Sequence, residues 1–248
     1  MHIYIYHVII YFHIKLLNRY KMENCYTLDK SLKLIIIDGL IGAGKSILLK
    51  KLKKSKILKK WNIIFILEPL ETYRLYFSRT EKVYFNPLKS QYERNSGDSL
   101  CAQIYFMDKL KDLYLNIINV NRNNDTIIIS ERYVISSLAF ISTLHESEML
   151  NSFSYHYVRD YIENSIRLLS KYIHIIKIFY LSTDINSCIE RIYTRARNEE
   201  TDFKHMANYL NLLNKHYMKL YSNWDYLTLK KDYKITEIEE TITNILKE

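Results

Sequence analysis

The sequence predicts an α/β fold of three layers, a five-stranded parallel sheet with helices on both faces, and three observations predict it. Short apolar runs recur along the chain with segments of helical period between them, the alternation that a doubly covered parallel sheet requires. The first run feeds directly into GLIGAGKS at 39–46, with the spacing G-x-x-x-x-G-K-S. Charged residues follow the second and third runs at their carboxyl ends, where ligands bind in sheets of this kind.

The first strand is predicted at Leu34 to Asp38, and the loop after it comprises Gly39, Leu40, Ile41, Gly42, Ala43, Gly44, Lys45 and Ser46. Glycines let such a backbone curl so that its N–H groups point inward at phosphate oxygens, while the following helix presents its positive end. In this loop type the lysine reaches the outer phosphates and the hydroxyl ligates the magnesium that bridges them. Lys45 and Ser46 take those places, so a nucleoside triphosphate with Mg2+ is the expected ligand. The helix after the loop is predicted to bury Leu48, Leu49 and Leu52, with the seven lysines between Lys50 and Lys60 as its solvated face.

The second strand, Ile63 to Leu67, runs into Glu68 and is stopped by Pro69. A carboxylate fixed at that edge suits a general base for phosphoryl transfer. On the helix from about Leu100 to Val120, Gln103, Phe106 and Leu110 share one face. An amide flanked by apolar surface suits a nucleobase, through two directional hydrogen bonds and stacking walls. The third strand, Thr126 to Ser130, precedes Glu131 and Arg132. There Glu131 suits the magnesium shell and Arg132 suits the base or the transferred phosphate. After the fourth strand, Ile173 to Leu181, the segment CIERIYTRARNEE carries Arg191 and Arg195 four apart on one helix face, with Arg197 where the helix gives way to a loop. Such a cluster closes over triphosphate oxygens as a lid. Tyr226 to Leu229 is the fifth strand.

With 248 residues, four glycines, two prolines and no linker-like stretch, the chain reads as one domain at 31–248, preceded by an N-terminal extension at 1–30. Within the extension, residues 1–21 read as lying upstream of a natural start at Met22, packing loosely or left untranslated. The apolar run before Lys15 is too short to span a bilayer and lacks the flanks of a signal peptide. Three cysteines without C-x-x-C spacing argue against a disulfide framework and a structural zinc. A reducing compartment, the cytoplasm or the mitochondrion, is therefore expected. The net charge of +9 is assigned to the solvated lysines and to steering of polyanionic nucleotides, because no nucleic-acid-reading motif accompanies it. The 23 tyrosines read as compositional bias.

From about Leu34 to the C-terminus the chain resembles the deoxynucleoside kinase family, which contains the deoxycytidine, deoxyguanosine and mitochondrial thymidine kinases and the insect multisubstrate enzyme. The resemblance rests on GLIGAGKS, LEP at 67–69, YE at 92–93, Gln103, SER at 130–132 and RIYTRARNEE at 191–200, the lid being the most specific. It implies transfer of the γ-phosphate of ATP to the 5′-hydroxyl of a deoxyribonucleoside, in a homodimer. By the same resemblance Glu68 is the base, with Arg132 beside it and Lys45 on the phosphates. Tyr92 and Glu200 hold the sugar 3′-hydroxyl, Gln103 reads the nucleobase, and Ser46 and Glu131 are the magnesium groups. Members preferring cytosine or purines carry an arginine and an aspartate where this chain has Leu110 and Ser137. Thymidine or another pyrimidine is therefore the implied substrate ahead of purines. The phenylalanine that stacks on the base in the family falls, without a gap, on Ile141, one residue from Phe140. Two rival readings are a thymidylate kinase, from which the glycines after Glu68-Pro69 are missing, and a nucleotide-binding protein without catalysis.

Overall fold

The computed structural model describes residues 32–247 apart from 79, 81–82, 92–95, 122–125, 202–204, 223, 225 and 231. The expectations for residues 1–30 and for Tyr92 lie outside that set. In chain order the strands are β1 (Leu32–Gly39), β2 (Ile63–Ile66), β3 (Tyr76–Ser78), β4 (Val83–Phe85), β5 (Ile127–Glu131), β6 (Ile173–Leu181) and β7 (Tyr226–Leu229). All except β3 and β4 form one parallel sheet in the order β2-β5-β1-β6-β7. The five predicted strands are these five.

Position in the sheet follows from side-chain type. Leu34, Ile35, Ile36 and Ile37 of β1 are wholly buried on alternate sides of the strand, which is possible only where helices cover both faces. Buried β5 lies beside β1, whereas β2 and β7 at the edges are only partly covered. Because every strand in the sheet is parallel, all five carboxyl ends share one edge. Register places Ile37 opposite Glu131, Ile66 opposite Ser130 and Gly39 opposite Leu181.

The helices are α1 (Lys45–Lys53), α2 (Leu70–Arg74), α3 (Pro87–Ser90), α4 (Ser96–Val120), α5 (Ser137–Glu146), α6 (Ser152–Leu169), α7 (Ile185–Arg195), α8 (Asn198–Thr201), α9 (Met206–Tyr221) and α10 (Ile235–Lys247). Helix α1 packs on β1, β5 and α10, while α4 packs on α6, α6 on α5 and α5 on α9. Leu48, Leu49 and Leu52 are buried as expected, each contributing about 1.5–3 kcal/mol by leaving water. The helix stops at Lys53, short of the full lysine run. Ser55 ends it: its Oγ accepts from the Leu58 N–H at 3.3 Å and starts a separate single turn. All seven lysines are nevertheless exposed, so the solvated-face reading stands.

The antiparallel pair β3–β4 was not predicted. Leu75, Tyr76, Phe77, Tyr84 and Phe85 are all exposed, so these side chains do not show the buried-and-exposed alternation that announces a strand. Tyr105 of α4 anchors the approach to it, donating to the carbonyls of Thr72 and Leu75 at 3.0 and 3.2 Å.

Candidate active site

The loop leaving β1 turns through three left-handed glycines. Gly42, at φ +82°, lies so close to α7 that a Cβ there would stand 2.5 Å from the Cys188 carbonyl oxygen. Only glycine meets both demands. Arg191 completes the contact, donating from Nη1 to the carbonyls of Gly42 and Ala43 at 3.2 and 3.1 Å. Lys45 is buried, and its Nζ donates to the carbonyls of Gly39 and Leu40 at 3.2 and 2.8 Å. Burial, helped by the nearby Arg132 guanidinium and opposed by Glu131, Glu68 and Asp38, lowers the Lys45 ammonium to about 8.

Three neighbouring strand ends meet at this loop. Ser46 Oγ donates to Glu131 Oε1 at 2.9 Å, which joins the start of α1 to the end of β5. The next residue, Arg132, keeps its N–H in the ladder with Ile37 O at 3.1 Å and then turns to φ +64°. A left-handed arginine costs about 1–2 kcal/mol, and that turn aims the side chain across the sheet edge. Its Nε donates to Glu68 Oε2 at 3.2 Å and its Nη1 to Asp38 Oδ1 at 3.3 Å, with Tyr217 Oη also on Nη1. The guanidinium carbon lies 4.7 Å from the centre of the Phe140 ring. Burial works against this charge, but Tyr217, Glu68, Asp38 and Glu131 outweigh it and hold Arg132 protonated.

Asp38 is the group behind that arrangement. It is fully buried, accepting from its neighbour Gly39 N at 2.8 Å, Ser136 Oγ at 2.5 Å and Tyr221 Oη at 2.6 Å as well as from Arg132. A buried carboxylate survives only when its lone pairs are occupied, and here four partners from separate parts of the chain occupy them.

One open cleft of about 740 Å³, solvent at its mouth included, runs from the loop to α4. Ile41, Gly42, Lys45, Ser46, Glu131 and Arg132 line its first part, and Arg132 borders Glu68. Gln103, Phe106 and Leu110 of α4, with Ser137 and Phe140 of α5, line its far part. Gln103 is buried rather than solvent-facing, and its Nε2 donates to Gln91 Oε1 at 3.4 Å. Tyr73 lies against Phe106 with ring centres 4.4 Å apart. Phe140 faces the cleft, whereas Ile141 is buried and absent from its lining. The aromatic side chain at the cleft is thus one residue from the family position.

Helix α7 ends at the left-handed Ala196, so Arg195 and Arg197 flank the turn into α8. Both line the cleft and both clasp buried Glu200: Arg195 through Nε and Nη2 at 2.8 and 2.5 Å, Arg197 through Nη1 at 3.4 Å. Arg191 stands on the loop itself, with Nη1 on the carbonyls of Gly42 and Ala43, and does not line the cleft. Glu199 ties the same segment to the hairpin side through Arg74 at 3.1 Å and Asn86 at 3.0 Å.

Lys45, Ser46, Glu68, Gln103, Phe106, Leu110, Glu131, Arg132, Ser137, Arg195, Arg197 and Glu200 thus converge on one cleft as the sequence anticipated. Sequence reasoning missed Asp38, Tyr73, Gln91, Tyr217 and Tyr221. The three tyrosines were hidden among the 23 of the chain, yet Tyr217 and Tyr221 stand four apart on α9 and share the face that meets Asp38 and Arg132. Asp38 read as the last residue of a strand.

A phosphate loop at the carboxyl edge of a parallel sheet in this strand order, with a carboxylate and an arginine from the two adjoining strand ends, defines a phosphotransferase of the phosphate-loop kinase class. Residues 35–248 match the family model described as deoxynucleoside kinase. The chain is 32% identical to the probable deoxycytidine kinase of Fowlpox virus (strain NVSL), over 79% of this chain and 74% of that protein. It is 27% identical to the deoxycytidine kinase of Homo sapiens, over 79% of this chain and 80% of the relative. Its fold matches that of a deoxyadenosine kinase from M. mycoides solved with bound dCTP, with a TM-score of 0.63 at 22% identity, covering 86% of this chain and 98% of the other. The chain belongs to the deoxynucleoside kinase family and is a phosphotransferase. Among the described residues no helix is long and apolar enough to cross a membrane.

Proposed function

We propose that the chain transfers the γ-phosphate of ATP to the 5′-hydroxyl of a pyrimidine deoxyribonucleoside, thymidine ahead of the purines, with Mg2+ and as a homodimer of units spanning 31–248. The observation that carries the reading is the Arg132 Nε to Glu68 Oε2 contact of 3.2 Å inside the cleft that also holds Lys45. Glu68 takes the proton of the 5′-hydroxyl as that oxygen attacks, and Arg132 orients the carboxylate and faces the migrating group. Lys45, Arg195 and Arg197 neutralise charge on the phosphate oxygens. Gln103 reads the base edge, Phe106 and Phe140 enclose the ring, and Glu200 with Tyr92 holds the 3′-hydroxyl.

The donors at Ser46 and Glu131 are hard oxygens 2.9 Å apart, and they suit Mg2+, which keeps most of its waters and takes one or two protein ligands. The ion would neutralise the bridging phosphate oxygens. For the base, support comes from Leu110 and Ser137, which line the cleft without charge and leave room for a thymine methyl group. A second reading, deoxycytidine first, is favoured by the names of the viral and human relatives.

The test offers purified protein the four deoxynucleosides and thymidine monophosphate, each with ATP and Mg2+. Thymidine and deoxycytidine are expected to give monophosphates faster than the purines. Turnover of thymidine monophosphate alone would overturn the nucleoside reading, and a purine optimum would overturn the pyrimidine one.

A further inference from the structure

Gln91 sits one residue beyond α3, in a position its surroundings fix closely. Asn86 caps that short helix through Oδ1 on Lys89 N at 3.1 Å, Pro87 begins it, and the Gln91 N–H donates to Pro87 O at 3.1 Å. The Gln91 side chain then reaches both α4 and α9. Its Oε1 accepts from Gln103 Nε2 at 3.4 Å, and its Nε2 donates to Tyr209 Oη at 3.3 Å. All three side chains are at most 4% exposed, and both glutamines line the cleft.

An amide has one end that accepts and one that donates, and its two ends have the same shape. A free glutamine therefore turns over to suit either kind of base edge: amino group beside ring nitrogen, as in cytosine and adenine, or carbonyl beside ring N–H, as in thymine and guanine. A glutamine whose Nε2 is committed to a neighbour's oxygen offers its donor and acceptor in one order only. Turning Gln103 over alone would bring its oxygen against the Gln91 oxygen, so it can turn only if Gln91 turns with it and Tyr209 Oη donates where it now accepts. A turn of Gln103 without Gln91 leaves a buried mismatch, which costs far more than at the surface.

We propose that Gln91 is a specificity-determining residue, which fixes the orientation of the Gln103 amide and thereby selects the base edge that the enzyme accepts. This rests on the reading of Gln103 as the base-contacting group. Gln91 acts through Gln103 and is a positioning residue, so its removal alters discrimination rather than chemistry.

The experiment compares kcat/KM for thymidine and deoxycytidine, with ATP and Mg2+, in the wild type, Gln91→Met, Gln91→Glu and Gln103→Leu. Methionine keeps the length of the side chain and removes both hydrogen bonds, whereas glutamate still accepts from Gln103 Nε2. Gln91→Met is expected to change the thymidine to deoxycytidine ratio of kcat/KM about tenfold, the scale of one net hydrogen bond. Gln91→Glu should restore the wild-type ratio. A ratio unchanged in Gln91→Met, or a wild-type ratio near unity, overturns the proposal, because either means that the amide turns freely. Where Gln103→Leu shifts the ratio and Gln91→Met does not, the inference alone fails. Where Gln103→Leu leaves both the ratio and KM unchanged, the base-reading role of Gln103 fails and the inference with it.

Discussion

The two ends of the cleft are built on different principles. At the phosphate end the working groups are backbone, glycine geometry and one buried network of charge: eight consecutive residues, 39–46, with Asp38, Glu131 and Arg132 at the adjoining strand ends. At the base end the lining is gathered from α2, α3, α4 and α5, from Leu70 to Phe140. The first end tolerates little substitution because backbone turns and buried charges cannot be exchanged piecemeal. The second can be retuned one side chain at a time, which is how one scaffold serves several bases.

The strongest test of this contrast falls between the two ends. Glu68→Gln is expected to lower kcat by about two to four orders of magnitude, the size of a general-base contribution. Nucleoside affinity should hardly change, since Arg132 remains paired with Asp38. Stopped-flow or steady-state turnover with separate equilibrium binding reads both quantities, and a variant that turns over near the wild-type rate removes Glu68 from the chemistry.

A smaller break is expected on the phosphate side. Gly42→Ala puts a Cβ at φ +82° into the Cys188 carbonyl, at a cost of about 1–3 kcal/mol. The loss should appear as a lower denaturation midpoint and a raised KM for ATP, with KM for the nucleoside little altered. An equal rise in both constants would show that the two ends are not separable.

On the base side, Leu110→Arg with Ser137→Asp is expected to preserve ATP binding and to move the thymidine to deoxycytidine ratio toward deoxycytidine by about tenfold, the net worth of one hydrogen bond. Selectivity unchanged by the pair would mean that these positions do not form the pocket that discriminates.

The same contrast explains what the sequence disclosed. The phosphate end was legible because its residues are contiguous and its chemistry has a fixed spacing. Strands β1, β2 and β5 announce themselves as apolar runs, and their parallel arrangement puts Glu68, Glu131 and Arg132 on one edge. The partners of Asp38 were not legible, because Ser136 and Tyr221 lie 98 and 183 positions along the chain and only folding brings them to one carboxylate. Gln91 escaped notice because a lone glutamine after a single helical turn has no pattern around it. The contact of Arg191 with the carbonyls of Gly42 and Ala43 was not legible either, because helical spacing fixes the face a side chain occupies but not the acceptor it meets there.

Asp38 and Gly39 are consecutive residues of β1, and each begins a different half of the reaction centre. One secures the guanidinium that borders the acceptor, and the other opens the cradle for the donor. Because the two residues adjoin in one buried strand, any displacement of that strand would move both mountings together.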